Sequence, residues 1–229
     1  LFLLSLIISV ITMVSVQLVQ YVDSSQIIQR MDSGAIGDYS AVLSVKSDSF
    51  DEKLLFELAK KTGKRIGIYA DFDNGEGGDT VFKKVYYTGS LIPMPMIRGR
   101  FFIDSDFENG DSVVVVGKNV KGLINRNGKE FLNIQNKEYM VIGVLGTKDS
   151  TVWDNYVLVN FRAGLQNEPS KLYTIDVFSK RSSKIPEMLA ENLKSEYGID
   201  AQVLVGTKGF VSGFLPMLAT AKWFILAIL

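Results

Sequence analysis

Two acidic runs contain the carboxylates of this 229-residue chain that are spaced closely enough to bind a metal ion. The first run consists of Asp71, Asp73, Gly75 and Asp79. Its spacing is similar to the start of a calcium-binding EF-hand loop, but the twelfth position would be Phe82, where a bidentate glutamate is required. The second run consists of Asp104, Asp106, Glu108 and Asp111. Both runs are predicted to be solvated loops, and no metal is assigned to either.

The composition excludes most other catalytic chemistry. The chain has no histidine and no cysteine, which excludes His-based triads, thiol nucleophiles, disulfides and zinc sites built on these residues. The sequence Gly206-Thr207-Lys208-Gly209 lacks the spacing of a Walker phosphate loop. The formal net charge is zero, so the basic excess that nucleic-acid binding needs is missing. We predict no catalytic residue, no cofactor and no nucleic-acid partner, and we do not expect an enzyme.

Apolar segments at both ends of the chain are predicted to lie in a membrane. Residues 1–22 contain no charged side chain, and about 22 residues of helix span roughly 33 Å, close to the hydrocarbon thickness of a bilayer. Near the other end, Lys222 and Trp223 are typical of an interfacial anchor. We expect residues 1–22 to be a transmembrane helix and 207–229 a stalk with a truncated second span, cut from a longer protein. A terminal amphipathic anchor is the alternative for the second segment.

Between these segments, the spacing of apolar residues predicts two strand–helix–strand units. Residues 23–34 continue the first span as a stalk helix. Strands 39–46 and 65–72 flank a helix over 50–61, whose start is a capping box of Ser49 and Glu52 and whose end is Gly63. Strands 172–179 and 201–205 flank a helix over 183–197, which ends at Gly198. A further strand is predicted over 79–87.

These two units are predicted to form one α/β subdomain, interrupted by an insertion. The subdomain comprises residues 35–92 and 171–206, with the four flanking strands in one sheet and both helices packed on it. Leu54 and Met188 are assigned to the buried stripes of the two helices. The fold class is therefore α+β, in a membrane-anchored domain.

The insertion, residues 93–170, is predicted to be a separate β-rich subdomain. Its apolar stretches are short and bounded by Gly, Asn and Asp, which favours strands over 112–116, 131–134, 138–144 and 155–159. A short helix is expected over 118–123. Residues 93–97 (PMPMI) are predicted to be core or hinge, with contact to a hydrophobic peptide or lipid as the less favoured alternative.

The order of short motifs in the insertion resembles a known family. These motifs are Gly99-Arg100-Phe101-Phe102, the acidic residues Asp104 and Asp106, residues 113–120 (VVVVGKNV), Gly128-Lys129, and residues 136–144 (NKEYMVIGV). Each motif alone is common, but their order between two predicted spans is similar to that of MacB/FtsX-type ABC transporter permeases. The resemblance covers the whole chain and corresponds to the MacB-like periplasmic core domain between the first two transmembrane helices.

The resemblance implies a fold and a function. The split α/β part would be the family's porter subdomain, and the insertion would be its sabre subdomain. The protein would be a permease subunit in a bacterial cell membrane, with this domain outside the cytoplasm. Its partners would be a cognate ABC ATPase, a second permease subunit, the lipid bilayer and a peptide, antibiotic or lipid substrate.

Two other functions remain open from the sequence. The chain could be an FtsX-like signal transmitter that controls a cell-wall hydrolase. It could also be the input domain of a sensor receptor, which is likewise bracketed by two spans. A sensor would continue into a HAMP or kinase segment after its second span, whereas a permease would continue into two further spans.

Overall fold

A computed structural model describes residues 37, 39–47, 50–75, 78–89, 94–163, 171–179 and 182–208. The predicted transmembrane segment 1–22, the stalk 23–34 and residues 209–229 lie outside these ranges. Among the residues that are described, no helix is both long enough and apolar enough to span a membrane.

The described residues form eleven strands and three α-helices, together with 3-10 helices at Val152–Asn155 and Phe161–Ala163. In chain order the elements are β1 (Tyr39–Val45), α1 (Glu52–Lys61), β2 (Ile66–Asp71), β3 (Val81–Thr88), β4 (Met96–Gly99), α2 (Asp104–Asn109), β5 (Val113–Gly117), β6 (Ile124–Arg126), β7 (Lys129–Ile134), β8 (Lys137–Leu145), β9 (Tyr156–Asn160), β10 (Leu172–Val177), α3 (Ile185–Tyr197) and β11 (Ala201–Lys208).

The four strands of the two strand–helix–strand units belong to one sheet, as predicted, and they are neighbours in it. Their order is β11-β1-β10-β2, and each neighbouring pair is antiparallel. Helix α1 therefore connects two strands that have β10 between them, and α3 connects two strands that have β1 between them. This interleaved arrangement is the split β-α-β, or ferredoxin-like, motif.

The sheet continues from this motif into the insertion without a break in its hydrogen bonding. Strand β3 pairs antiparallel with β2 on one side and parallel with β9 on the other. The order then runs β9-β5-β8-β7-β6, and β4 pairs with the C-terminal half of β8. A division of residues 93–170 into a separate subdomain thus stays a prediction, because the strands of both parts belong to one sheet.

Two hydrophobic clusters explain the apolar pattern of the strands. Helices α1 and α3 pack on one face of the ferredoxin-like motif, where Leu43, Ile68 and Ile175 are fully buried. In the insertion, Val113 and Val115 of β5 join this cluster, whereas Val114 and Val116 join a second cluster on the opposite face. Strand β5 is therefore buried on both sides, which is why its sequence is continuously apolar rather than alternating.

Helix α1 starts differently from the sequence prediction. Its N-cap is Asp51, whose carboxylate accepts a hydrogen bond of 3.0 Å from the Lys53 N–H, and Ser49 lies outside the described residues. The predicted capping box of Ser49 and Glu52 was wrong, because the N-cap is Asp51 and Glu52 is the first residue of the helix. The buried stripe is Leu55, Phe56, Leu58 and Ala59, while Leu54 is only half-buried.

Helix α3 and strand β11 confirm some boundaries and correct others. Gly198 ends α3 in the left-handed conformation, with φ of 69°, as predicted. Met188 was assigned to the buried stripe, but it is exposed, and Leu189 and Leu193 are fully buried instead. Strand β11 extends through Thr207 to Lys208, so a stalk helix cannot begin at residue 207: these two residues pair with Ser40 and Tyr39.

The insertion also differs in detail from the predicted elements. Residues 118–123 form a turn rather than a helix, since the Val120 N–H donates to the Gly117 carbonyl and no helical hydrogen bonds follow. The second acidic run, predicted to be a solvated loop, contains helix α2. Strands β4 and β6 were not predicted, because they are short and largely exposed.

Candidate functional site

The Gly99-Arg100-Phe101-Phe102 motif is held by a buried carboxylate. Arg100 donates two hydrogen bonds to Asp106, at 2.6 and 2.8 Å, in a bidentate pair. The Asp106 side chain is 3% exposed and also accepts a bond of 2.9 Å from the Ile103 N–H. Burial raises the pKa of Asp106, but the bonds from Arg100 and Ile103 outweigh this and place its pKa below 3.8. The expectation that Asp106 is solvated was wrong.

Strand β9 contributes a further contact to this region. The side-chain amide of Asn160, which is fully buried, donates to the backbone carbonyls of Asp106 and Asp111, at 2.6 and 2.9 Å. The Asn160 carbonyl oxygen accepts a bond from the Arg162 N–H at 3.0 Å. The end of β9 therefore holds helix α2 at Asp106 and the chain just after the helix at Asp111, which makes the motif a structural clamp.

The Gly117-Lys118 motif forms a second clamp of the same kind. The Lys118 ammonium lies 3.1 Å from the Asp154 carboxylate and donates to the carbonyls of Thr147 and Asp149. Gly117 lies so close to the next segment that a Cβ atom there would overlap the carbonyl oxygens of Trp153 and Asp154. Burial raises the pKa of Asp154, but bonds from Thr151 and Lys118 outweigh it, so that its pKa lies below 3.8.

A buried ion pair connects α1 to the middle of the sheet. The Lys84 ammonium, in a side chain only 2% exposed, lies 3.1 Å from the Glu52 carboxylate. The Tyr173 hydroxyl donates to Glu52 at 2.8 Å, and the ammonium lies 5.1 Å from the centre of the Phe161 ring. Because Lys84 is on β3 and Phe161 follows β9, these contacts join the ferredoxin-like motif to the insertion. Nothing in the sequence pattern indicated this pair.

The first acidic run forms a turn. The Asp71 carboxylate is paired with Lys83, and the Asp73 carboxylate accepts the Gly75 N–H at 2.7 Å. The Asn74 side chain accepts the Gln135 N–H at 3.1 Å, which ties this turn to the turn between β7 and β8. Across the described ranges, no group of three or more His, Cys, Asp or Glu residues could hold a metal ion.

The apolar segment before the first clamp is divided between core and surface. Met94 is buried, Met96 packs against the main hydrophobic cluster, and Ile97 is 53% exposed. Pro93 lies outside the described residues. The two methionines thus support the predicted core role, and Ile97 is the side chain left available for a partner.

The domain's two attachments to the rest of the chain lie next to each other. Tyr39, the first residue of β1, is the direct partner of Lys208, the last residue of β11. Partners in an antiparallel pair have Cα atoms about 5 Å apart. Residues 1–36 and 209–229 therefore join the domain at one end of two adjacent strands.

The family follows from comparison with known proteins. The family described as "MacB-like periplasmic core domain" matches residues 1–194, most of the chain. The chain belongs to this family. It is thus the extracytoplasmic domain of a protein of the ABC transporter permease type, as the motif order suggested. None of the curated proteins compared with the chain matches it.

Two solved structures are similar to this MacB-like domain. The extracellular domain of the noncanonic ABC-type transporter YknZ from Gram-positive bacteria is 16% identical, with a TM-score of 0.48 over 72% of this chain and 100% of its own. The periplasmic region of MacB from Actinobacillus actinomycetemcomitans is 14% identical, with a TM-score of 0.48 over 78% of this chain and 92% of its own.

Within this MacB-like domain, the motifs that carried the resemblance have structural roles. Arg100 and Lys118 each neutralise a buried carboxylate at the start of a short helical segment. Gly99 and Gly117 lie where the backbone of another segment leaves no room for a side chain. The surface available for function must therefore be found elsewhere, at the attachments and in the clefts.

Proposed function

We propose that this domain is part of a permease subunit of an ATP-driven exporter and transmits motion from the membrane to an amphipathic substrate such as a peptide, antibiotic or lipid. The ATP would be hydrolysed by a partner ATPase, and the permease would act with a second permease subunit. The pairing of Tyr39 with Lys208 is the observation that carries this proposal.

The position of β1 in the sheet supports transmission of a force. Strand β1 is hydrogen-bonded on one side to β11 and on the other side to β10. A displacement applied at the two attachments enters neighbouring strands, and it is resisted by rows of hydrogen bonds rather than by a loop. Such a sheet moves as a rigid body, which is what a hinge or shear mechanism requires.

The buried contacts between the two parts of the sheet support the same proposal. Motion of β1 and β10 reaches the insertion through Tyr173, Glu52 and Lys84, and through the parallel pairing of β3 with β9. The two clamps, Arg100–Asp106 and Lys118–Asp154, then hold the short helical segments of the insertion to its strands. The domain has rigid connections from its attachments to its distal strands.

A flexible insertion at the attachment would test transmission. We expect about six Gly and Ser residues, placed after Lys208 in the complete transporter, to reduce export while ATP hydrolysis continues, because a flexible linker does not transmit displacement. The matched control is the same insertion after Gly122, an exposed turn where a Cβ atom would meet nothing within 4 Å. Export that is equally efficient in both variants would contradict transmission and favour a passive docking role.

A further inference from the structure

The chain enters the domain beside a buried carboxylate on β10. Asp176 is fully buried, and its direct partner on β1 is Ser40. Direct partners in an antiparallel pair have their side chains on the same face, and the Ser40 hydroxyl donates to one oxygen of the Asp176 carboxylate. The Gly37 N–H donates to the other oxygen at 3.3 Å. Two hydrogen bonds, between residues 136 and 139 positions apart in the sequence, therefore join the entering chain to β10.

The backbone of the entering chain also packs directly on β10. Gly37 is buried, and a Cβ atom there would lie 2.8 Å from the carbonyl oxygen of Val177 and 2.9 Å from its nitrogen. A side chain at this position would overlap the strand, so only glycine allows the two backbones to approach so closely. The contact at Gly37 therefore adds close packing to the hydrogen bonds of Asp176.

The surroundings of Asp176 give its carboxylate little freedom to move. Its partner on β2 is Gly67, and the rings of Tyr69 and Tyr87 occupy the space where a side chain of Gly67 would lie. The Tyr87 hydroxyl donates to the Tyr69 hydroxyl at 2.6 Å. Burial raises the pKa of both phenols well above their ordinary value, and the charge of Asp176 raises both further.

Separation of the entering chain from this carboxylate is unfavourable. A buried carboxylate that loses hydrogen-bond donors is costly, and water does not replace them at a fully buried position. The N–H of Gly37, which is itself buried, would lose its acceptor at the same time. The entering chain and β10 should therefore move together.

We propose that Asp176 is a positioning residue, which holds the entering chain on β10 and makes this attachment of the domain rigid. The proposal rests on the proposed transmission of motion and names the contact through which motion enters the sheet. A displacement of residues 1–36 would act on β10 and β1 together. Without Asp176, the same displacement would first bend the chain ahead of β1.

Spin labels on the full chain in a nonionic detergent would test this attachment, because the chain contains no cysteine. One label is placed at Ser33→Cys, ahead of the described residues, and the other at Lys129→Cys, an exposed position on β7. Pulsed electron spin resonance measures the distribution of distances between them. We expect a narrow distribution with Asp176 in place. In Asp176→Ala it should broaden by on the order of 10 Å, the span of a flexible segment of about six residues.

The conservative variant Asp176→Asn should restore the narrow distribution. Its amide oxygen can accept the Gly37 N–H, and its amide N–H can donate to the Ser40 hydroxyl. A role that depends on hydrogen bonds at this site predicts this recovery, whereas a general loss of stability predicts no difference between attachment and domain. Gly37→Ala is a second variant that leaves Asp176 unchanged, and it should also broaden the distribution, because its methyl group would push the chain away from Val177.

Two controls separate the attachment from the folding of the domain. Labels at Lys53→Cys and Lys129→Cys both lie within the domain, and their distribution should stay narrow in Asp176→Ala and Gly37→Ala. Asp154→Ala is the matched variant, since Asp154 is also buried and also accepts bonds from a backbone N–H and a hydroxyl, both of Thr151. It lies in the insertion and should leave the distribution between positions 33 and 129 narrow.

The proposal would be overturned if the distribution between positions 33 and 129 were as broad with Asp176 as in Asp176→Ala. It would also be overturned if Asp154→Ala broadened this distribution equally, or if Gly37→Ala left it narrow. These measurements need neither ATP nor a substrate, so their outcome does not depend on transmission. The flexible insertion after Lys208 tests transmission separately.

Discussion

At the scale of single residues, this domain uses basic side chains to hold buried carboxylates. Asp106 and Asp154 are buried, and each is paired with a more exposed basic residue, Arg100 or Lys118. An ionised carboxylate is costly to bury unless its oxygens accept hydrogen bonds. Each carboxylate therefore depends on its basic partner for stability. Removal of the basic residue leaves a buried charge without its main hydrogen-bond donor.

Arg100→Ala is expected to lower the free energy of unfolding by about 2 kcal/mol, because Asp106 would lose both bonds from the guanidinium. Lys60→Ala is the matched control, since Lys60 pairs with Glu108 and both side chains are more than half exposed. That change should cost less than about 0.5 kcal/mol. Urea unfolding followed by tryptophan fluorescence measures both, and equal losses in the two variants would contradict the role of the clamp.

The same carboxylates predict that acid destabilises the domain. Their folded-state pKa values lie below 3.8, so the stability that they contribute is complete above the unfolded-state pKa and is lost as the pH falls through the lower folded-state pKa. We expect the free energy of unfolding to decrease as the pH falls below about 5, and to decrease less steeply in Asp154→Asn. A pH dependence that this variant leaves unchanged would show that other groups cause it.

At the scale of helices and strands, local periodicity predicted the ferredoxin-like motif better than the insertion. The apolar alternation of residues 39–46 and the glycine after residue 197 locate β1 and the end of α3 to within a residue or two. In the insertion, β4 was not predicted, because Pro95 precedes it and Gly99 ends it. Helix α2 was not predicted, because its sequence reads as an acidic loop. Asp106 could not be assigned from the pattern, because its burial depends on Arg100 and Asn160, which other segments contribute.

The buried stripe of α1 gives a prediction that corrects the assignment made from the sequence. Leu55 is 0% exposed within the main cluster, whereas Leu54 is half-buried. We expect Leu55→Ala to lower the free energy of unfolding by about 3 kcal/mol, because it leaves a cavity under the helix, and Leu54→Ala to cost less than half as much. Urea unfolding of both variants would decide this, and a larger loss for Leu54→Ala would contradict the observed orientation of the helix.

At the scale of the whole molecule, pairing of distant segments determines what the domain can do. The sequence predicted all strands except β4 and β6, but it did not predict that β1 lies between β10 and β11, or that β3 joins the insertion through β9. These pairings place Tyr39 beside Lys208. The position of the attachments therefore results from contacts between residues far apart in the chain.

The position of the domain outside the cytoplasm can be tested by cysteine labelling, because the domain itself contains no cysteine. Cysteines introduced at Lys53 and Lys129 lie at exposed positions on α1 and β7. Each should react with a maleimide that does not cross membranes when it is added to intact cells. A cysteine at Leu158, which is fully buried in β9, is the control and should react only after denaturation. If Lys53→Cys and Lys129→Cys were labelled only after lysis, the domain would face the cytoplasm, and a role in export would lose its basis.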